Sequence, residues 1–175
     1  MSTHDMYTKP TTPMNNNALS ISGMYDPLTQ LYNKELFTQV ADSLLRISIR
    51  QKMPVSLAMI YFAHYASLKD KYGNSAADNL IRESAHLLQS ISRDSDVLSH
   101  YSEDKFALLL YNCNYISSKI VAERIQKHVK EDLGNQQHEV SITIGLAEFD
   151  ARYASSKDNI SDQLVHDALE SLTKV

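Results

Sequence analysis

Residues 102–106 read Ser-Glu-Asp-Lys-Phe, two carboxylates and an ammonium on what reads as a tight polar turn. Acids grouped on such a turn commonly hold a divalent cation against phosphate oxygens. Lys105 opposes that use. At about 4 Å and an effective dielectric of about 20, a unit charge pair contributes on the order of 4 kcal/mol before screening. A lysine beside a carboxylate therefore opposes a bound cation with an interaction of that size. A second constellation is Arg93-Asp94-Ser95-Asp96. The Arg93 guanidinium is a planar fork that can grip phosphate, and Asp96 can accept N–H donors. The same two residues could equally form a local ion pair at a helix-to-strand junction. His64 and His100 fit no short metal-ligand spacing, so solvated or hairpin-edge positions are expected for them. Cys113 is the single cysteine and cannot form an internal disulfide, which points to a reducing, cytoplasmic setting.

The elements that must carry these residues follow from periodicity. Residues 1–24, rich in Ser, Thr, Asn and Pro, read as a flexible tail, and 25–175 as one domain. After the Asp26-Pro27-Leu28-Thr29 turn, Phe37, Val40, Ala41, Leu44 and Leu45 recur at helical spacing. Pro54 separates that helix from Val55–Phe62, an apolar run of strand length. Tyr72-Gly73-Asn74-Ser75 is a turn with an N-cap for a helix through Leu80, Ile81, Ala85, Leu88 and Ile91. Asp96–Tyr111 reads as a hairpin around the polar turn. Ile116, Ile120, Val121, Ile125, Val129 and Leu133 mark one seam of a further helix. Glu139–Phe149 alternates as a half-buried strand, and Leu164, Val165, Ala168, Leu169 and Leu172 mark a last helix. Asp78 falls where a first-turn acid would favour the helix dipole. This order predicts an α/β (α+β) layered domain with a mixed sheet covered by helices.

Composition is that of an ordinary globular chain, 22% charged and 43% hydrophobic. A net charge of −4 argues against a nucleic-acid surface. The apolar run at 55–63 is too short to cross a bilayer, so no membrane insertion is expected.

Four segments in order resemble one family. Asp26-Pro27-Leu28-Thr29-Gln30-Leu31-Tyr32-Asn33-Lys34 is similar to Asp-x-Leu-Thr-Gly-Leu-x-Asn-Arg, and Tyr72-Gly73-Asn74-Ser75-Ala76-Ala77-Asp78 to Tyr-Gly-His-x-x-Gly-Asp. Ser102–Phe106 stands where Gly-Gly-Asp/Glu-Glu-Phe belongs, and Val140–Ala147 resembles Val-Thr-x-Ser-Ile-Gly-x-Ala. These are motifs of the GGDEF family of diguanylate cyclases. The resemblance implies a cyclase-like palm, a central five-stranded, mainly antiparallel sheet flanked by helices, with the signature on the hairpin turn.

The same resemblance implies that chemistry has been lost. Such cyclases join two GTP molecules with Mg²⁺ held by carboxylates. The first-strand metal aspartate falls on Tyr61 and the next aspartate on Ala63. Both signature glycines are replaced, by Ser102 and Glu103, and the second acid is Lys105, so Asp104 alone remains. The family's guanine-binding asparagine falls on Lys69, and its acid is retained as Asp78. Lys174, at a phosphate-contacting position, reads as a solvated terminal charge. Arg93 and Asp96 match an inhibitory Arg-x-x-Asp site for cyclic di-GMP at the expected spacing before the signature. The expectation is an inactive regulator without Mg²⁺ or other cofactor, sensing cyclic di-GMP through Arg93 and Asp96 and acting on a protein partner. The alternatives are a nucleotide-independent scaffold and, third, a residual cyclase or GTP-binding allosteric domain.

Overall fold

Asn33 starts the first long helix because its side chain accepts the Leu36 amide, satisfying one of the donors that a helix start leaves open. Helix α1 (Lys34–Gln51) then buries Phe37, Ala41, Leu45 and Ser48, three or four residues apart, and ends at Lys52 in the left-handed region. The computed structural model describes residues 23–134, 140–152 and 159–172. The expected tail up to residue 22, Glu139 and Lys174 lie outside these.

Strand β1 (Val55–Phe62) is buried at every position except the half-buried Tyr61. That burial on both faces explains its largely apolar run, in which the one buried polar side chain, Ser56, donates to the Cys113 carbonyl at 2.8 Å, and it fits a central strand. A short helix α2 (Tyr65–Tyr72) follows, anchored by Tyr65 and Leu68. Helix α3 (Asn74–Ile91) begins at Gly73, whose φ of +86° suits glycine, and no side chain caps it. The expected Asn/Ser cap is therefore corrected. Gly73 serves both helices, donating its N–H to Lys69 and accepting from the Ala77 amide.

Strands β2 (Val97–Ser102) and β3 (Lys105–Tyr111) form the hairpin, with a register shift between His100 and Ser102. Helix α4 (Tyr115–His128) is capped by Asn114 and runs into a π-helical turn at Val129–Leu133. Strand β4 (Ile142–Phe149) and helix α5 (Ile160–Leu172) complete the described chain.

The sheet order is β2-β3-β1-β4, every pair antiparallel. Among the described residues it has four strands rather than the expected five. Val129 and Leu133 stay buried in the helical continuation of α4, so the chain after His128 remains helical as far as Leu133. The alternation along β1 divides the core. Val55, Leu57 and Met59 pack with residues of α1 and α5, and Ala58, Ile60 and Phe62 with residues of α2, α3 and α4. The result is an α+β domain of three layers, helices on both sides of one sheet. At Gly145 of β4 a Cβ would lie 2.1 Å from the Ala168 carbonyl oxygen, so α5 approaches the strand at backbone distance.

The outer edge of β2 is not bare. Tyr32 pairs with Ser99 in parallel fashion, and the His100 amide donates to the Tyr32 carbonyl at 3.0 Å.

Candidate functional site

Pairing across three strands assembles the hairpin site. Lys105 stands opposite Tyr61 of β1 and opposite Ser102 of β2. Its ammonium lies 4.8 Å from the centroid of the Tyr61 ring and 2.7 Å from Asp104 Oδ1. The Ser102 hydroxyl donates to the same carboxylate oxygen at 3.2 Å. The turn is held to the central strand by the Phe62 amide, which donates to the Asp104 carbonyl at 3.0 Å. The Lys105 and Asp104 side chains are 27% and 30% exposed, enough cover for the pair to be worth more than a surface contact.

Glu103 points the other way and pairs with Lys69 of α2. Lys69 also lies 6.0 Å from the Tyr65 ring centroid. Burial pushes the Tyr65 hydroxyl's pKa up, and the Glu103 charge adds to it. The hydrogen bond to Glu103, with its negative charge, holds the Lys69 ammonium above its usual range. Asp78 acts on both Tyr65 and Lys69 through its charge. It is fifth in α3, one place beyond the first turn, so the dipole role expected for it is corrected.

Arg93 and Asp96 meet at the α3-to-β2 junction, but not as side-chain partners. Asp96 Oδ2 accepts the Arg93 backbone amide at 2.9 Å, and the Asp96 amide donates back to the Arg93 carbonyl at 3.0 Å. The ion pair expected as the alternative is absent within 4.0 Å among the described residues. Arg93 is exposed and its fork faces no carboxylate at contact distance. Burial pushes the Asp96 carboxyl up in pKa, against the Arg93 amide bond and the charges of Arg93 and Arg124. Arg124, on α4, donates to the Ile91 carbonyl at 3.0 Å and brings a second guanidinium to this junction. Sequence reasoning missed it because 31 positions separate it from Arg93 and nothing local marks it. Asp94 is exposed. The six residues of β2 put this junction about 20 Å from the hairpin turn.

The histidines divide. His64 is exposed just before α2. His100 lies on the hairpin's edge strand β2, one of the two positions expected, but it is not solvated there. Its side chain is 9% exposed, with Nδ1 3.0 Å from Asp26 Oδ2, the ring 5.1 Å from that of Phe106, and Nε2 buried without a partner. Cys113 is buried, and burial pushes its thiol up in pKa. Among the described residues no group of three or more His, Cys, Asp or Glu side chains is placed to hold a metal ion. No helix there is long and apolar enough to cross a membrane.

The sequence profile of the family described as "Diguanylate cyclase, GGDEF domain" matches residues 23–174. The chain belongs to the GGDEF domain family. Among curated relatives, "Probable diguanylate cyclase DgcE" of Escherichia coli is 35% identical over 113 residues, covering 65% of this chain and 10% of that protein. This GGDEF chain spans less than half the length of the curated relatives it matches. The GGDEF domain of DgcB from Caulobacter crescentus, solved in complex with c-di-GMP, matches at a TM-score of 0.77 and 16% identity, covering 99% of this chain and 92% of that one. The diguanylate cyclase SiaD of Pseudomonas aeruginosa, solved with its activator SiaC, matches at 0.76 and 23%, covering 91% and 60%. These two likenesses carry the fold.

Proposed function

We propose that this GGDEF domain is a catalytically inactive, cytoplasmic regulator that binds cyclic di-GMP at Arg93 and Asp96 and acts through a protein partner. One observation carries the loss of catalysis: the Lys105 ammonium lies between the Tyr61 ring and the Asp104 carboxylate. A divalent cation at Asp104 would meet that ammonium at contact range, and the neighbouring Tyr61 offers a ring face where a second carboxylate is needed. These residues do not fit Mg²⁺. Glu103 pairs with Lys69, so that ammonium is already committed and is not free to hold a triphosphate.

Binding is a different demand, and the groups at the junction support it. A cyclic dinucleotide offers phosphate oxygens and guanine edges to a guanidinium fork, and guanine N–H donors to a carboxylate. Asp96 has one oxygen committed to the Arg93 amide, which fixes the carboxylate's direction. Among the described residues no carboxylate lies within ion-pair distance of the Arg93 side chain, and Arg124 adds positive charge. DgcB was solved with c-di-GMP, and SiaD with a protein activator; both support this kind of reading.

Calorimetric titration of cyclic di-GMP into the wild type and Arg93→Ala tests it. Saturable binding at micromolar affinity or tighter, lost in the variant, is expected. A flat trace at high ligand overturns the sensor role and leaves a nucleotide-independent scaffold. Turnover of GTP with Mg²⁺ or Mn²⁺, abolished by Asp104→Ala, overturns the inactive reading.

A further inference from the structure

Helix α4 carries two apolar stripes rather than the single seam its sequence suggests. Ser118, Val121, Ala122 and Ile125 are buried. Ile116 and Ile120, expected in the same seam, are 74% and 64% exposed. At about 100° per residue, these two isoleucines project from the side of the helix opposite Val121 and Ile125. Tyr115, 39% exposed at the helix start, lies beyond Lys119 on a neighbouring face, its amide donating to Glu148 Oε2 at 2.8 Å. Single exposed aliphatic residues are ordinary, but adjacent large ones on a helix's outer face mark an interaction surface.

The surroundings say what fits. Lys119, whose ammonium lies 4.8 Å from the Tyr115 ring centroid, borders the isoleucines on one side and Arg124 on the other. Lys127 lies beyond Ile120 and is partly offset by Glu131 at 3.9 Å. Glu123 is the one carboxylate on this outer face between Tyr115 and Lys127. The stripe is therefore locally basic on a chain of net charge −4. It is also continuous with the Arg93–Asp96 junction, since Arg124 is bonded to the Ile91 carbonyl there.

We infer that the outer face of α4, centred on Ile116 and Ile120, is the docking surface for a partner's amphipathic helix that carries aliphatic residues flanked by carboxylates. The isoleucines give two knobs one helical turn apart, which an i, i+4 aliphatic pair on a facing helix can straddle. Lys119 and Arg124 set the required sign of the partner's flanks. The inference deepens the proposed partner role, but the surface itself does not depend on cyclic di-GMP.

The test uses the full chain and three synthetic helical peptides: an acidic amphipathic one, its lysine-flanked counterpart, and a scrambled acidic one. Binding is followed by fluorescence anisotropy, without and with cyclic di-GMP. Saturable binding of the acidic amphipathic peptide alone is expected, weakened at least tenfold by Ile116→Glu or Ile120→Glu and reduced by 0.5 M salt. Circular dichroism confirms that the variants fold, and Ile116→Ser serves if a charged one does not. Equal binding of all three peptides, or binding unchanged in the variants, overturns the inference. So does concentration-dependent dimerisation in sedimentation that Ile120→Glu abolishes, because the occupant would then be a second copy. Peptide binding that ignores cyclic di-GMP leaves the docking surface standing and counts against the sensor reading alone.

Discussion

Restoring two carboxylates at the hairpin should convert a site that repels metal into one that binds it. In Tyr61→Asp/Lys105→Glu the site would carry acids at 61 on β1 and at 104 and 105 on the hairpin. In the wild type the Lys105 ammonium is 2.7 Å from Asp104 Oδ1, so an ion held by that carboxylate would sit roughly 4 Å from a positive charge. At an effective dielectric of about 20, a divalent ion there is opposed by about 8 kcal/mol before screening, and the variant reverses the sign. Metal at about 100 times its dissociation constant stabilises a fold by about 2.7 kcal/mol. For a domain this size that raises the melting temperature by roughly 5–10 °C. The assay is thermal melting with and without millimolar Mn²⁺, each protein serving as its own reference because clustered acids alone will lower stability. The wild type should shift by less than about 1 °C. A comparable metal-dependent rise in the wild type would refute the electrostatic argument. A folded double variant without any rise would show that charge was not what excluded the ion.

Three further outcomes follow from the packing. Burial raises the Asp26 carboxyl, but two hydrogen bonds from Thr29 and the charge of His100 outweigh it and hold its pKa below the ordinary 3.8. Its contribution is therefore present above about pH 4 and lost as pH falls through the depressed folded value, so the gap in urea midpoint between wild type and Asp26→Asn should narrow below pH 4. Gly145→Ala puts a methyl 2.1 Å from the Ala168 carbonyl oxygen and 2.9 Å from Leu172 Cγ, and should cost about 1–3 kcal/mol in chemical denaturation. Ser99 has a fully buried hydroxyl with no protein partner, so Ser99→Ala should be neutral or stabilising by up to about 1 kcal/mol in the same assay.

Much of this architecture was legible in the chain because its elements obey local rules. Phe37, Ala41 and Leu45 keep helical spacing along α1, the largely apolar run of β1 reads as a strand, and the motifs keep their order and spacing. What was hidden depended on contacts between distant segments. Helix α2 has two inward residues, Tyr65 and Leu68, among lysines and an aspartate, too few to declare a period. Glu103 and Lys69 are 34 positions apart, and their pairing exists only once α2 is laid beside the hairpin. The α4 seam was misread because isoleucine on an outward face keeps the same spacing as isoleucine on an inward one. His100 sits at a hairpin edge in sequence, yet Asp26 and Tyr32 fold over that edge and bury it.

That cover over β2 matters for the edge of the sheet. The Asn33 amide donates to the Met24 carbonyl and its side-chain nitrogen to the Gly23 carbonyl, while Asp26 grips His100. Residues 23–33 thus fold back on Asn33, the cap of α1, and lie against Ser99 and His100 of β2 through Tyr32 and Asp26. Without that cover the strand joining the Arg93–Asp96 junction to the signature turn would present an open pairing edge.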